Sequence, residues 1–162
     1  MIGIIFGSSM GNTEEAANLT AKILVEKGIT CEVKNITDIS PADFSKYDTL
    51  ILGSSTWGDG DLQDDWESFD FDAIEISGKK VALFGFGDGA GYSDTFCNAI
   101  GKLYNIFVKK GAQIFGFVDT DGYDFDESEA VKDGKFVGLA LDNDNQSELT
   151  EERIKSWIEA NF

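Results

Sequence analysis

The sequence predicts an α/β fold: a doubly wound, five-stranded parallel sheet with helices on both faces. Three observations lead there. Apolar runs alternate with amphipathic stretches from one end of the chain to the other. The runs are nearly continuous in apolar residues, as strands covered on both faces require. Glycine, hydroxyl and aromatic residues gather after the first, third and fourth runs. The natural strand order is 2-1-3-4-5, and in that order ligands bind outside the carboxyl ends of strands one, three and four. A chain of 162 residues suits one domain over residues 1–162.

Ile2-Gly3-Ile4-Ile5-Phe6 reads as the first, buried strand. Thr13 to Lys27 reads as a helix, with Ala16, Leu19, Thr20, Ile23 and Leu24 at the spacing of one buried face and Gly28 as its stop. Ile29 to Val33 makes an edge-like second strand, and Ser40-Pro41-Ala42-Asp43 a turn or short helical start. Thr49 to Gly53 is the apolar third strand and runs into a loop from Ser54 to Gly60. A short helix covers Gln63 to Phe69. Val81 to Phe86 is the fourth strand, followed by a glycine-rich loop reaching Tyr92. The long helix after it turns Phe96, Ala99, Ile100, Leu103 and Phe107 inward and stops at Gly111. Gln113 to Val118 is the fifth strand. About twenty residues then interrupt the pattern, after which Phe136 to Leu141 reads as more of the same strand. The last helix begins after Thr150, with Glu151 and Glu152 at its positive end and Ile154, Trp157 and Ile158 buried.

Composition closes several routes. The formal net charge is −17, from 30 acidic against 13 basic side chains, which argues against nucleic acid or anionic membrane and for basic partners. The chain has no histidine, so a Ser-His-Asp triad and a histidine-ligated metal are excluded. Cys31 and Cys97 stand far apart with no CxxC, so no disulfide framework, zinc site or redox dithiol is expected. The first apolar run lacks a preceding basic region, and no stretch is long enough to span a bilayer. A soluble, cytoplasmic monomer is the expectation.

Between the first strand and first helix lie Ser8-Ser9-Met10-Gly11-Asn12-Thr13. Three hydroxyls, an amide and a glycine at the positive end of a helix read as a phosphate cradle, because the first helical turn leaves N–H groups unpaired. No Lys or Arg precedes Lys22, so the donors are neutral. That sets the stretch apart from the ATP-binding P-loop and fits a phosphate that is held rather than transferred. By itself it also reads as an ordinary helix cap. Trp57 and Tyr92 stand in loops that the topology brings to the same mouth. Singly, each also reads as a lid on the core; together they suit a planar ring held between two faces. Gly85-x-Gly87-x-x-Ala90 matches a dinucleotide fingerprint, but it follows the fourth strand instead of opening the unit.

The phosphate loop, Ser55-Thr56-Trp57-Gly58 and Phe84-Gly85-Phe86-Gly87-Asp88-Gly89-Ala90-Gly91-Tyr92 together resemble the flavodoxins. The interrupted fifth strand and the tail from Lys135 to Gln146 are most like the long-chain group. The resemblance covers essentially the whole chain. It implies a flavodoxin-like fold and a low-potential one-electron carrier using the semiquinone and hydroquinone states of noncovalently bound FMN, with no substrate of its own. It implies that Ser8, Ser9, Met10, Gly11, Asn12 and Thr13 hold the phosphate, with Ser55 and Thr56 near the phosphate and ribityl chain. Trp57 and Tyr92 would sandwich the isoalloxazine. Gly87, Asp88 and Gly91 would line its polar edge through backbone groups, and Asp144 would lie near the ribityl hydroxyls. The implied partners are a flavodoxin/ferredoxin-NADP reductase and low-potential acceptors such as nitrogenase. Two departures from the family pattern stand out: Met10 lacks a hydroxyl donor that is usual there, and Gly58-Asp59 replaces bulkier neutral residues.

Charge supplies the mechanism. Five of the nine residues from Asp59 to Glu67 are acidic. An anionic reduced ring near carboxylates and aromatics is unfavourable, so on this resemblance the segment is expected to lower the potential of the last electron, to offer a docking face for basic partners, or both. The Gly58-Asp59 peptide is expected to turn over on reduction and accept a hydrogen bond from flavin N5–H, a rotation that glycine makes cheap. The enzyme alternative is an FMN-dependent NAD(P)H quinone reductase on the same fold, but a ring covered by both Trp57 and Tyr92 leaves it little room for substrate. A phospho-accepting receiver domain is excluded, since Gly53-Ser54 stand where it needs an aspartate.

Overall fold

Alternate residues of the first strand enter opposite cores, which is what a strand covered on both faces must do. In the computed structural model, which describes residues 1–162, Ile2, Ile4 and Phe6 point into one apolar cluster and Ile5 into the other. The chain runs β1 (Ile2–Gly7), α1 (Asn12–Glu26), β2 (Cys31–Asn35), β3 (Thr49–Trp57), β4 (Asp61–Leu62), α2 (Asp64–Glu67), β5 (Lys80–Phe86), α3 (Asn98–Lys109), β6 (Gln113–Phe115), β7 (Val118–Asp119), β8 (Val131–Lys132), β9 (Lys135–Phe136), β10 (Leu139–Leu141) and α4 (Thr150–Asn161). β2, β1, β3 and β5 are parallel neighbours in that order. β6 and β10 share the next position, pairing with the first and last halves of β5. The predicted order 2-1-3-4-5 therefore holds, with its fifth place divided between two short segments.

One core lies beneath α1 and α4, where Ala16, Ala17 and Leu24 meet Ile154, Trp157 and Ile158. The other lies beneath α2 and α3, where Trp66 joins Ile100, Leu103 and Phe107. Leu19 and Ile23, expected in the first core, are only half-buried, and Ala17 takes a buried place instead.

Several boundaries differ from the sequence reading. The second strand begins at Cys31, because the Ile29 N–H donates to Leu24 O at 2.9 Å and so belongs to the end of α1. Ser54 to Trp57 continue β3 rather than forming a loop, since Thr56 and Trp57 pair antiparallel with Leu62 and Asp61. Phe96 is buried but precedes α3, which starts after Cys97 in a left-handed conformation at φ 52°. Its ring stacks on Phe125 at 5.2 Å, tying the interrupting segment to the core. The fifth strand stops at Phe115 because Gly116 turns the chain at φ 85°. Val118–Asp119 then pairs antiparallel with β9, as β8 does, to make a separate three-stranded sheet. Phe136 belongs to that sheet, and only Leu139–Leu141 returns to the main one. No helix is long and apolar enough to cross a membrane.

Candidate functional site

The loop after β1 leaves that strand at Gly7 and enters α1 at Asn12. Gly11 is the N-cap, at φ 94°, and no side chain caps the helix. An ordinary serine cap is therefore not what this loop forms. The Ser8 hydroxyl instead accepts the Gly11 N–H at 3.0 Å and closes the turn. Glu15 N–H donates to Gly11 O at 3.0 Å, the first bond of the helix, so the N–H groups of the first turn are left for another acceptor. Thr13 is fully buried, with its hydroxyl 2.7 Å from that of Ser55, which joins the loop to the end of β3. The Ser9 hydroxyl accepts from Gln63 Nε2 at 3.0 Å.

Beside this loop, at the carboxyl ends of β3 and β5, opens a cavity of about 350 Å³. Met10 and Asn12 line it together with Ser55, Thr56, Trp57 and Gly58 from β3 and its turn, and Gly87, Asp88, Tyr92 and Asp144 from the later loops. Trp57 is 38 % exposed and Tyr92 58 %, so two aromatic side chains stand open at one mouth. The Thr56 hydroxyl accepts the Ala99 N–H at 3.1 Å, pinning β3 to α3.

Carboxylates close one side of the mouth. Asp88, Asp142 and Asp144 each place an oxygen within 4.8 Å of the other two. Asp142 is buried and accepts the Gly89 and Asn145 N–H groups, each at 3.0 Å. The Asn145 amide nitrogen bridges Asp142 to Asp88, at 3.0 and 2.8 Å. N–H groups of Gly91, the Asn145 amide and Ala90 hold the Asp88 carboxyl below the usual range. Asp144 moves the other way: partial burial, then the neighbouring charges of Asp88 and Asp142, push its carboxyl up.

The topology thus brings Met10, Asn12, Ser55, Thr56, Trp57, Gly58, Gly87, Asp88, Tyr92 and Asp144 to one cavity. Ser8, Ser9, Gly11 and Thr13 build the adjoining loop rather than the lining. Asp59 faces the neighbouring groove with Asp94 and Thr95. The backbone at Gly87 and Gly91 is already engaged: Gly87 N–H donates to Leu141 O at 2.9 Å and Gly91 N–H to Asp88 Oδ1 at 2.8 Å. Sequence reasoning missed Phe86 and Thr95 in the lining, and it missed Gln63, Asp142 and Asn145 as supports. The tail from Lys135 to Gln146 carried a signal for the last two. Nothing in the sequence marked Gln63.

Comparison with known proteins agrees with this geometry. The family model for flavodoxin matches residues 4–157. A flavodoxin of Synechocystis sp. is 48 % identical over 159 residues, 97 % of this chain and 93 % of that protein. Flavodoxin 1 of Azotobacter vinelandii is 42 % identical over 163 residues, 97 % of this chain and 92 % of that protein. The crystal structure of Fusobacterium nucleatum flavodoxin bound to flavin mononucleotide superposes with a TM-score of 0.91 at 32 % identity, covering 98 % of this chain and 95 % of that one. With a matched family model spanning nearly its whole length and a relative 48 % identical over 97 % of it, the chain belongs to the flavodoxin family.

Proposed function

We infer that this protein is a low-potential one-electron carrier with FMN as its cofactor, passing electrons between redox proteins and transforming no substrate of its own. The observation that carries this reading is one cavity in which Asn12, at the end of the Ser8–Thr13 loop, and the hydroxyls of Ser55 and Thr56 meet the exposed rings of Trp57 and Tyr92. That donor set fits FMN, with its single phosphate and flat head. When bound, FMN supplies a ring that takes up and releases electrons one at a time.

The chain's own residues do the rest. Ser8 to Thr13 and Ser55 hold the phosphate through hydroxyl and N–H donors, and Thr56 supports the ribityl chain. Trp57 and Tyr92 cover the ring and keep water from its faces. Asp88 and Asp144 at the mouth, with Asp59 in the neighbouring groove, place negative charge that disfavours a further negative charge inside the mouth and makes the bound group a stronger reductant. No ion pair neutralises the acidic run from Asp59 to Glu67, so it stands ready for a basic partner. Partners of this kind are a flavodoxin/ferredoxin-NADP reductase and low-potential acceptors such as nitrogenase. The protein works as a single-domain monomer in the cytoplasm; its two free cysteines, one buried and one half-buried, suit a reducing compartment.

Anaerobic reduction of the FMN-loaded protein, followed by absorbance, is the test. Two separate one-electron steps are expected, with no NADH oxidation unless a partner is added. A single two-electron step with partner-free NADH consumption would mark a quinone reductase instead.

A further inference from the structure

Gln63 is 1 % exposed, and every polar atom of its amide is engaged. Its Oε1 accepts the Asp65 N–H at 3.1 Å, and its Nε2 donates to Asp65 Oδ2 at 2.8 Å and to Ser9 Oγ at 3.0 Å. Turning the amide over would set its oxygen against the Asp65 carboxylate and its NH₂ against the Asp65 N–H, two repulsions in a site with little water. Asp65 therefore fixes which end of the amide faces Ser9. Because that end is a donor, the Ser9 oxygen acts as acceptor there and keeps its own proton for a group on its open side. Gly7 leaves room for the arrangement, since a Cβ at that position would lie 2.2 Å from Gln63 Oε1.

We propose that Gln63 is a positioning residue of the phosphate loop. Locked by Asp65, it turns the Ser9 hydroxyl into a donor toward the phosphate, and so sets how strongly the site prefers FMN to riboflavin. The proposal rests on the FMN reading above. It matters in this loop because no Lys or Arg precedes Lys22, so the anion is held by neutral donors alone. Hydrogen bonds to a charged acceptor are about twice as strong as neutral ones, so each hydroxyl proton weighs heavily.

The test is a titration of the full-length apoprotein with FMN and with riboflavin, following flavin fluorescence. Gln63→Met is expected to lower the FMN-over-riboflavin preference about tenfold, the loss of one hydrogen bond to a charged group. Ser9→Ala should do the same, and the double variant should lose no more than either alone. Equal weakening of both flavins, or fully additive losses, would overturn the proposal. Should Gln63→Met fail to fold, Ser9→Ala at its exposed position decides, because an unchanged preference there is equally fatal. A wild-type chain that binds both flavins alike would instead defeat the phosphate reading itself.

Discussion

Met10 is the most exposed large apolar side chain of the molecule, at 78 %, and it lines the cavity where a hydroxyl is usual in the family. On the FMN reading proposed above, Met10→Thr would supply one more donor to the phosphate and should tighten FMN binding about tenfold in a fluorescence titration. Two of the three carboxylates at the mouth, Asp88 and Asp144, are expected to respond oppositely to acid. Asp88, with its folded pKa depressed, stabilises the fold above the ordinary carboxylate range, and that contribution disappears as pH falls through the depressed value. Asp144, with its folded pKa raised, opposes folding at neutral pH; that opposition begins to fade as pH falls through the raised value and is gone below the ordinary one. Asp88→Asn should therefore lower Tm at pH 7 and Asp144→Asn should raise it. Both differences should shrink in acid, that of Asp144 at the higher pH. Thermal unfolding from pH 7 to pH 3 reads both. At this scale the sequence exposes residue types but not their partners. Trp57, Tyr92 and the hydroxyls were legible because loop chemistry and topology put them at one mouth, whereas Gln63 is defined by contacts nine residues back, to Ser54, and 54 residues back, to Ser9.

Elements were legible where one physical signal ruled. β1, β3 and β5 are apolar runs and α4 is periodic, so their positions follow from pattern alone. Boundaries slipped where a backbone group was claimed by a neighbour, as at Ile29, or where a strand continued past its apolar stretch into a hairpin, as at Ser54 to Trp57. The broken fifth strand combines both effects. Gly116 takes a positive φ of 85°, and its carbonyl accepts the Trp157 indole N–H at 2.8 Å. A Cβ there would lie 2.9 Å from that same nitrogen. Gly116→Ala should cost about 1–3 kcal/mol, from the left-handed backbone and the displaced indole together. A lower urea midpoint with an unchanged slope would report it. The four-residue α2 depends on a different anchor: Trp66 is fully buried, and its indole N–H donates to Gly53 O at 2.8 Å. Trp66→Phe removes that hydrogen bond and part of the buried ring, and should cost about 1–3 kcal/mol in the same measurement.

Across the whole molecule, a net charge of −17 opposes compaction and attracts basic proteins, and salt weakens both effects. Raising ionic strength from about 10 to 150 mM shortens the screening length from about 30 to 8 Å. Over that range Tm should rise while affinity for a basic redox partner falls. A Tm that falls with salt would show that attractive pairs outweigh the repulsion. The main sheet has a further property at its outer margin. Instead of one long strand, its fifth position carries Gln113–Phe115 and Leu139–Leu141, parted by the Gly116 turn and the small antiparallel sheet. Neither three-residue piece presents enough consecutive unpaired backbone to template a strand from another molecule. The interruption thus denies fibril growth a starting row at this margin of the sheet.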